Sequence, residues 1–200
     1  MIAMLSLIIL AAGKSTRMRG RNKLLSRVDG KTIVRRVVET AMNSKVDEVL
    51  VVVGWESQRV REAIADLPCR FVLNKEFEKG QSSSVKAALR EVGSTTQAIL
   101  VLPGDIVNID PRSINKVVDT YASAKAPIVV ASHHGRPGHP ILLAKELFEE
   151  ILRIDEETFG LKSVVKRHAE EVKYVEADSD NVIWDVDTPE DLKRIKNARN

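Results

Sequence analysis

With 200 residues the chain can bury one substantial core, and no Pro/Gly/Ser-rich linker or shift of composition divides it, so residues 1–200 read as a single domain. Its 31 basic and 28 acidic side chains leave a net charge of +3 with the basic residues dispersed, and only four Phe, two Tyr and two Trp are present, which argues against a nucleic-acid platform. The single cysteine, Cys69, excludes an intramolecular disulfide or a Cys-rich zinc cluster and reads as a small hydrophobe or a spectator.

The apolar stretch MIAMLSLIILAAG lacks a basic region ahead of it, is too short to span a bilayer and ends in loop-forming residues. It reads as the start of a cytoplasmic protein with no membrane partner, not as a leader. Residues 7–10 are a buried strand closing at Leu10. In Ala11, Ala12 and Gly13 the side chains are small enough for backbone N–H groups to approach an anion, and Gly13 also permits a positive φ. Lys14, Arg17 and Lys23 then supply charge for a polyphosphate, so the ligand this loop fits is a nucleoside triphosphate. Neither G-x-x-x-x-G-K-[ST] nor G-x-G-x-x-G is present. The plain alternative is a strand, a turn and a solvated basic patch.

Short β-branched apolar runs recur at residues 49–53, 71–73, 98–102 and 128–131, of the kind found in strands covered on both faces. Helical stripes separate them: Ile33, Val34, Val37, Val38 and Ala41; Val60 and Ile64; Val85, Ala88, Leu89 and Val92; Ile114, Val117 and Val118. Repeated alternation predicts an α/β, Rossmann-like, mostly parallel sheet flanked by helices. Ligands in such sheets sit at the carboxyl ends of strands, which places the loops after Leu10, Val53, Leu73 and Leu102 on one edge.

Every other chemical motif falls on that edge. Asn74 is followed by Gly80-Gln81-Ser82-Ser83-Ser84 at a helix start, where hydroxyls and N–H groups suit an anion or a ribose, or simply cap the helix. Asp105 in Leu102-Pro103-Gly104-Asp105 can hold Mg²⁺ through carboxylate oxygen, or merely close a Pro-Gly turn. Asp185 and Asp187 are two apart and share a face ahead of a helix with Thr188 as cap and Pro189 as first residue; one of the pair can be an orienting group. By composition residues 135–140 are a turn, with His139 equally able to be a structural hydrogen-bonding group. His133 and His134 have no two-His metal spacing and read as loop residues.

The pattern L-A-A-G-x-x-x-R-M followed by Lys23 resembles the nucleotide-binding signature of the MobA-like nucleotidyltransferases, and within them the molybdenum cofactor cytidylyltransferase branch. Leu102–Asp105, the Asp185-to-Asp191 run and Gly135-Arg136-Pro137-Gly138-His139-Pro140 are similar to further motifs of that family, so the resemblance covers nearly the whole chain. It implies a nucleotide-diphospho-sugar transferase type of fold and transfer of a nucleoside monophosphate onto a phosphorylated acceptor, with pyrophosphate released. By resemblance, Arg17, Lys23, Asp105 and Asp187 are catalytic, and Asp105 and Asp187 hold Mg²⁺. Leu10, Ala11, Ala12, Gly13, Lys14, Asn74, Ser83 and Ser84 join Arg17, Lys23 and Asp105 around the nucleotide, while Gly138, His139 and Pro140 face the acceptor.

In that family Leu-Ala-Ala-Gly accompanies cytidine and Leu-Ala-Gly-Gly guanosine, so Ala12 implies CTP, and the implied acceptor is molybdopterin or its molybdenum-loaded form. Three departures stand out: Arg19 replaces a glycine, Gln81 a methionine, and Ile106 follows Asp105 where Gln-Pro or Met-Pro is usual. Guanylyl transfer, a sugar-phosphate acceptor and a catalytically silent nucleotide-binding module remain the alternatives. A nicotinamide-dependent oxidoreductase lacks its dinucleotide fingerprint. Oligomeric state is not legible.

Overall fold

A computed structural model describes residues 4–18 and 20–197, with side chains to residue 195; Arg19 lies outside the described residues. The chain begins with β1 (Met4–Ala11), a small hairpin of β2 (Arg27–Val28) and β3 (Lys31–Thr32), and α1 (Ile33–Met42). There follow β4 (Glu48–Val53), α2 (Ser57–Glu62), β5 (Arg70–Leu73), α3 (Gln81–Leu89), β6 (Thr96–Pro103) and α4 (Pro111–Ala124). The remainder is β7 (Ile128–His133), β8 (Arg136–Ala144), α5 (Phe148–Ile151), α6 (Leu161–Arg167), β9 (Val172–Glu176) and α7 (Pro189–Asn197).

Seven strands form one sheet in the order β5-β4-β1-β6-β8-β7-β9. All run parallel except β8, which is antiparallel to both neighbours. Alternation along β1 divides the core: Leu7, Ile9 and Ala11 face one layer with Val34, Val37, Ile114 and Val117, while Ile8 faces the other with Val85, Leu89, Ile151 and Val164. The central strands β1, β4 and β6 are buried on both faces, which is why these runs are continuously apolar, whereas the edge strand β5 leaves Leu73 46% exposed.

The chain leaves β1 for β4 and β5 on one side, then crosses to β6 on the other. The loops after β1 and β6 therefore diverge, and a crevice opens between them. Three hydrogen bonds tie this edge together: Gly104 N–H to Leu10 O at 2.9 Å, Trp55 N–H to Ala12 O at 3.1 Å and Asn74 N–H to Val53 O at 2.8 Å.

Residues 135–140, a turn by composition, are in fact mostly strand. The turn is only His134-Gly135, whose φ values of 48° and 74° are those of a two-residue I′ hairpin turn, and β8 starts at Arg136. His133 is accordingly the last residue of β7 and not a loop residue. Prolines 137 and 140 are tolerated because β8 pairs with β6 only from Ile141 onward, so no ladder bond to β6 is lost. Cys69 is half-buried, and burial raises its thiol pKa.

Candidate nucleotide site

The loop after β1 is shaped by its own backbone. Ser15, not Gly13, takes the left-handed conformation, at φ 52°. Its carbonyl accepts from Met18 N–H at 2.8 Å and its hydroxyl from Lys23 N–H at 3.2 Å, while buried Met18 and Leu24 anchor the loop. Asn22 accepts from Leu24 N–H at 3.1 Å and so sets the turn that presents Lys23. Gly13 does not use the positive φ that glycine permits. A Cβ there would meet nothing within 4 Å, so glycine leaves the cavity floor open instead.

This floor belongs to a cavity of about 400 Å³. Leu10, Ala12, Gly13, Lys14, Lys23, Ser84 and Asp105 line it as the sequence predicted. Lys14 pairs with Glu78 and lies 5.9 Å from the centre of the Phe77 ring. Gln81, from the helix start read as a binding element, also lines the cavity, with Ser15, Phe77 and Glu78, which were not anticipated: Ser15 has no special residue type, and Phe77 and Glu78 arrive from a separate turn. Ala11 is buried in the core beneath, and Ala11, Arg17, Asn74 and Ser83 are absent from the wall.

At one end of the cavity the carboxylates of Asp105, Asp185 and Asp187 bring one oxygen each within 4.8 Å of one another. Gly104 makes this approach possible, since a Cβ there would stand 2.9 Å from the Leu10 carbonyl oxygen. Val186 N–H donates to Asp105 O at 3.2 Å, stitching the two aspartate segments together. Thr188 caps α7 through its hydroxyl, accepting from Asp191 N–H at 3.2 Å. Asp191 returns a carboxylate to the N–H groups of Thr188 and Asp187 at 2.8 and 3.2 Å, which fixes the Asp187 backbone.

The Lys23 ammonium bridges Asp105 and Asp187, at 3.1 Å from the latter, and Arg17 Nη1 reaches the other Asp187 oxygen at 2.6 Å. Burial alone would lower the Lys23 pKa, but the two carboxylates outweigh it and hold the group above the usual lysine value. Partial burial, then the charges of Asp187 and Asp105, push the Asp185 carboxyl up. Asp105 Oδ1 is buried with no hydrogen-bond partner. An all-oxygen donor set with one orphaned, charged oxygen fits a hard divalent cation. Ile106 is buried in the core and turned away from this cluster.

Behind the wall formed by Ser84, Asn74 Nδ2 donates to Ser83 Oγ at 2.8 Å and Ser84 Oγ at 2.9 Å, and its Oδ1 accepts from Glu76 N–H at 2.9 Å. Ser83 Oγ is further engaged with the carbonyls of Gly80 and Glu76. Asn74 and Ser83 thus build the entrance to α3 and leave Ser84 at the cavity. One N–H of the first turn of this helix is already taken: Ser82 N–H donates to Glu156 Oε1 at 2.5 Å.

Beyond that turn lies a second cavity of about 250 Å³, with His139 on its wall. Gly138 and Pro140 do not line it. Gly138 is a packing glycine, where a Cβ would come within 2.3 Å of Val182 O. His139 Nδ1 is buried and unpartnered, and burial lowers the ring's pKa to about 4 despite the Val101 carbonyl and the Asp185 charge, so the imidazole is neutral at physiological pH.

An α/β sheet whose switch-point crevice carries a basic loop facing an aspartate cluster defines a nucleotide-handling class of protein. The chain belongs to the MobA-like NTP transferase domain family, whose model matches residues 7–172. It is 31% identical over 141 residues to the bifunctional protein GlmU of Buchnera aphidicola, a match covering 70% of this chain but only 30% of GlmU. Rv0371c from Mycobacterium tuberculosis shares the fold at 25% identity and a TM-score of 0.84, covering 98% of this chain and 100% of its own. A second structure of Rv0371c contains manganese and matches at 23% identity and a TM-score of 0.80, with the same coverages. Molybdopterin-guanine dinucleotide biosynthesis protein A from Archaeoglobus fulgidus matches at 16% identity and a TM-score of 0.68 over 97% of this chain and 98% of its own. Among the described residues no helix is long and apolar enough to cross a membrane.

Proposed function

We propose that this chain is a Mg²⁺-dependent cytidylyltransferase that moves CMP from CTP onto a phosphate of a molybdopterin-type acceptor. The observation that carries the reading is the convergence of Lys23, Arg17, Asp105 and Asp187 at one end of the cavity. The loop from Ala12 to Ser15 receives the triphosphate, with Lys14 as a further cation. Lys23 and Arg17 turn from the carboxylates to the phosphates and stabilise charge on the α-phosphate and the departing pyrophosphate. An acceptor phosphate oxygen attacks the α-phosphorus, the bond to the β-phosphate oxygen breaks, and pyrophosphate leaves with that electron pair. Asp105 and Asp187 would hold the metal, with Asp185 beside them. When bound, a divalent cation supplies charge neutralisation across the triphosphate.

No side chain needs to form a covalent intermediate, because positioning and electrostatics supply most of the acceleration in such transfers. Ala12 on the wall supports the choice of CTP, and His139 on the wall of the second cavity supports placing the acceptor there. The cytoplasm, where nucleoside triphosphates are held, is the compartment this reading entails.

Pyrophosphate release tests it, with CTP, GTP, ATP and UTP offered separately alongside molybdenum cofactor or a sugar phosphate. Release is expected with CTP and molybdenum cofactor, and Asp105→Asn should reduce it by about 10²-fold or more, the loss of several kcal/mol of charge stabilisation. Release only with a sugar phosphate overturns the acceptor, and release only with another nucleotide overturns the base. Tight CTP binding without turnover would leave a silent binding module.

A further inference from the structure

The two halves of the acidic cluster come from distant parts of the sequence, and each is carried on an arm of irregular chain. Asp105 leads into a run of short turns in which Val107 N–H donates to Asp105 O at 2.9 Å and Ile109 N–H to Ile106 O at 3.1 Å, with Ile106, Val107 and Ile109 all buried. That arm ends at Asp110, the cap of α4, whose Oδ1 accepts from Ser113 N–H at 2.7 Å. The other arm runs from Asn181 to Asp185 and Asp187. It passes through Val182, fully buried with its carbonyl packed on Gly138, and through a turn closed by Ile183 N–H on Asp180 O at 3.0 Å.

These arms are pinned together at both ends. At the cluster the pin is the bond from Val186 N–H to Asp105 O. At the far end it is a ring of side chains: Asn181 Nδ2 donates to Asp110 Oδ2 at 2.5 Å, and Ser113 Oγ donates to Asn181 Oδ1 at 3.4 Å. Capping α4 takes only one Asp110 oxygen, and the second is committed to Asn181. Asn181 and Ser113 are 7% and 4% exposed, and an amide so buried is tolerated only through such bonds. Between the pins the two arms have the same length in sequence, from Asp105 to Asp110 and from Asn181 to Val186. Because buried side chains hold both arms, a shift at Asn181 is passed on to Asp185 and Asp187 rather than absorbed.

We infer that Asn181 is a positioning residue for the divalent-cation site: its amide, clamped by Asp110 and Ser113, sets how closely Asp185 and Asp187 approach Asp105. This rests on the metal role proposed above for the cluster and adds the residues that fix its spacing. Asn181 acts through the chain it anchors, not by ligation.

Mn²⁺ binding to the full chain tests it, read as loss of the free-ion EPR signal with and without CTP, each against a blank lacking protein. Asp105→Asn marks the binding that belongs to the cluster. Asn181→Asp sets a carboxylate against Asp110 and should weaken Mn²⁺ binding about tenfold. The sign is diagnostic, since added negative charge by itself attracts a cation. In the double exchange of Asp110→Asn with Asn181→Asp, the new amide still caps Ser113 N–H and now donates to residue 181, which still accepts from Ser113 Oγ; net charge is unchanged. Affinity should return to within about twofold of wild type, because the paired change restores the coupling that the single one breaks. Asn181→Ser, which adds no charge, should weaken binding in the same direction and serves if Asn181→Asp does not fold, with thermal unfolding of every variant run alongside. Unchanged Mn²⁺ affinity in these single variants, or a loss that the exchange does not recover, overturns the inference and leaves the metal role standing. Wild type that shows no Asp105-dependent Mn²⁺ binding, with or without CTP, overturns the metal role and the inference with it.

Discussion

Two cavities flank the first turn of α3, and they are assembled in opposite ways. The larger is built mainly from stretches of neighbouring residues at strand ends, with charged groups that compensate one another: Lys23 and Arg17 against Asp105 and Asp187, Lys14 against Glu78. The smaller joins the start of α3 at Gln81 and Ser82 and the consecutive residues 159–162 to Val101, His139, Ile141 and Glu156, with the buried Ser82 Oγ and His139 Nδ1 left unpaired. On the proposed reading the first receives a highly charged ligand whose binding replaces existing ion pairs. The second holds an acid and an amine, Glu156 and Lys162, among apolar walls.

The sharpest way to break that division is Lys23→Met. On the proposed reading it costs about 10²-fold in turnover, because a preorganised positive charge is lost from the phosphates. Steady-state kinetics should show the loss in kcat and in CTP affinity. A change confined to acceptor KM would place Lys23 on the wrong side of the divide.

A smaller effect belongs to the second cavity and to pH. The His139 ring, desolvated, is held neutral down to about pH 4, whereas an exposed imidazole protonates near 6.5. Below that value the unfolded chain binds the extra proton and the folded one does not. The His139 contribution to stability is therefore full above about pH 6.5 and falls as pH drops toward 4, by at most about 3 kcal/mol. Denaturant unfolding of wild type and His139→Gln at pH 7 and at pH 4.5 should show the gap between them moving by up to that amount in favour of the variant at the lower pH. A constant gap would mean the ring is well solvated after all.

The smallest effect is Thr188→Ala, which removes one cap and should cost about 1 kcal/mol by thermal unfolding. Turnover should fall out of proportion to that loss, because the cap also holds the Asp187 backbone. Turnover that follows stability alone would detach the cap from the site.

The same contrast explains what could be read from the sequence. The parallel half of the sheet was legible because its central strands β1, β4 and β6 are buried on both faces and its helices carry clean apolar stripes. The first cavity was legible because Ala12-Gly13, Lys23, Gly104-Asp105 and Asp185-Val186-Asp187 each carry their chemistry within a few residues. Strand β8 was not, since Pro137, Gly138 and Pro140 look like turn residues until the absence of β6 pairing there is known. Nor was β9, an edge strand whose exposed Lys173 and Tyr174 blur the apolar pattern. Phe159 and Glu156 stand in a polar segment with no periodicity, and nothing in the sequence ties that segment to α3. Gly13 lines the first cavity without using the positive φ that its residue type permits, because Ser15 makes the left-handed turn instead.

Lys23 gives the acidic cluster a built-in counter-ion. Three carboxylates drawn so close would repel one another in an empty pocket, yet a tethered ammonium already sits between two of them and a guanidinium grips one from outside. Two of the three carboxylates are thus matched before any ion or nucleotide arrives, while Asp185 has no ion pair among the described residues and is pushed up by partial burial and by its neighbours' charges. On the proposed reading loading becomes an exchange: lysine gives up its seat as the triphosphate offers it another.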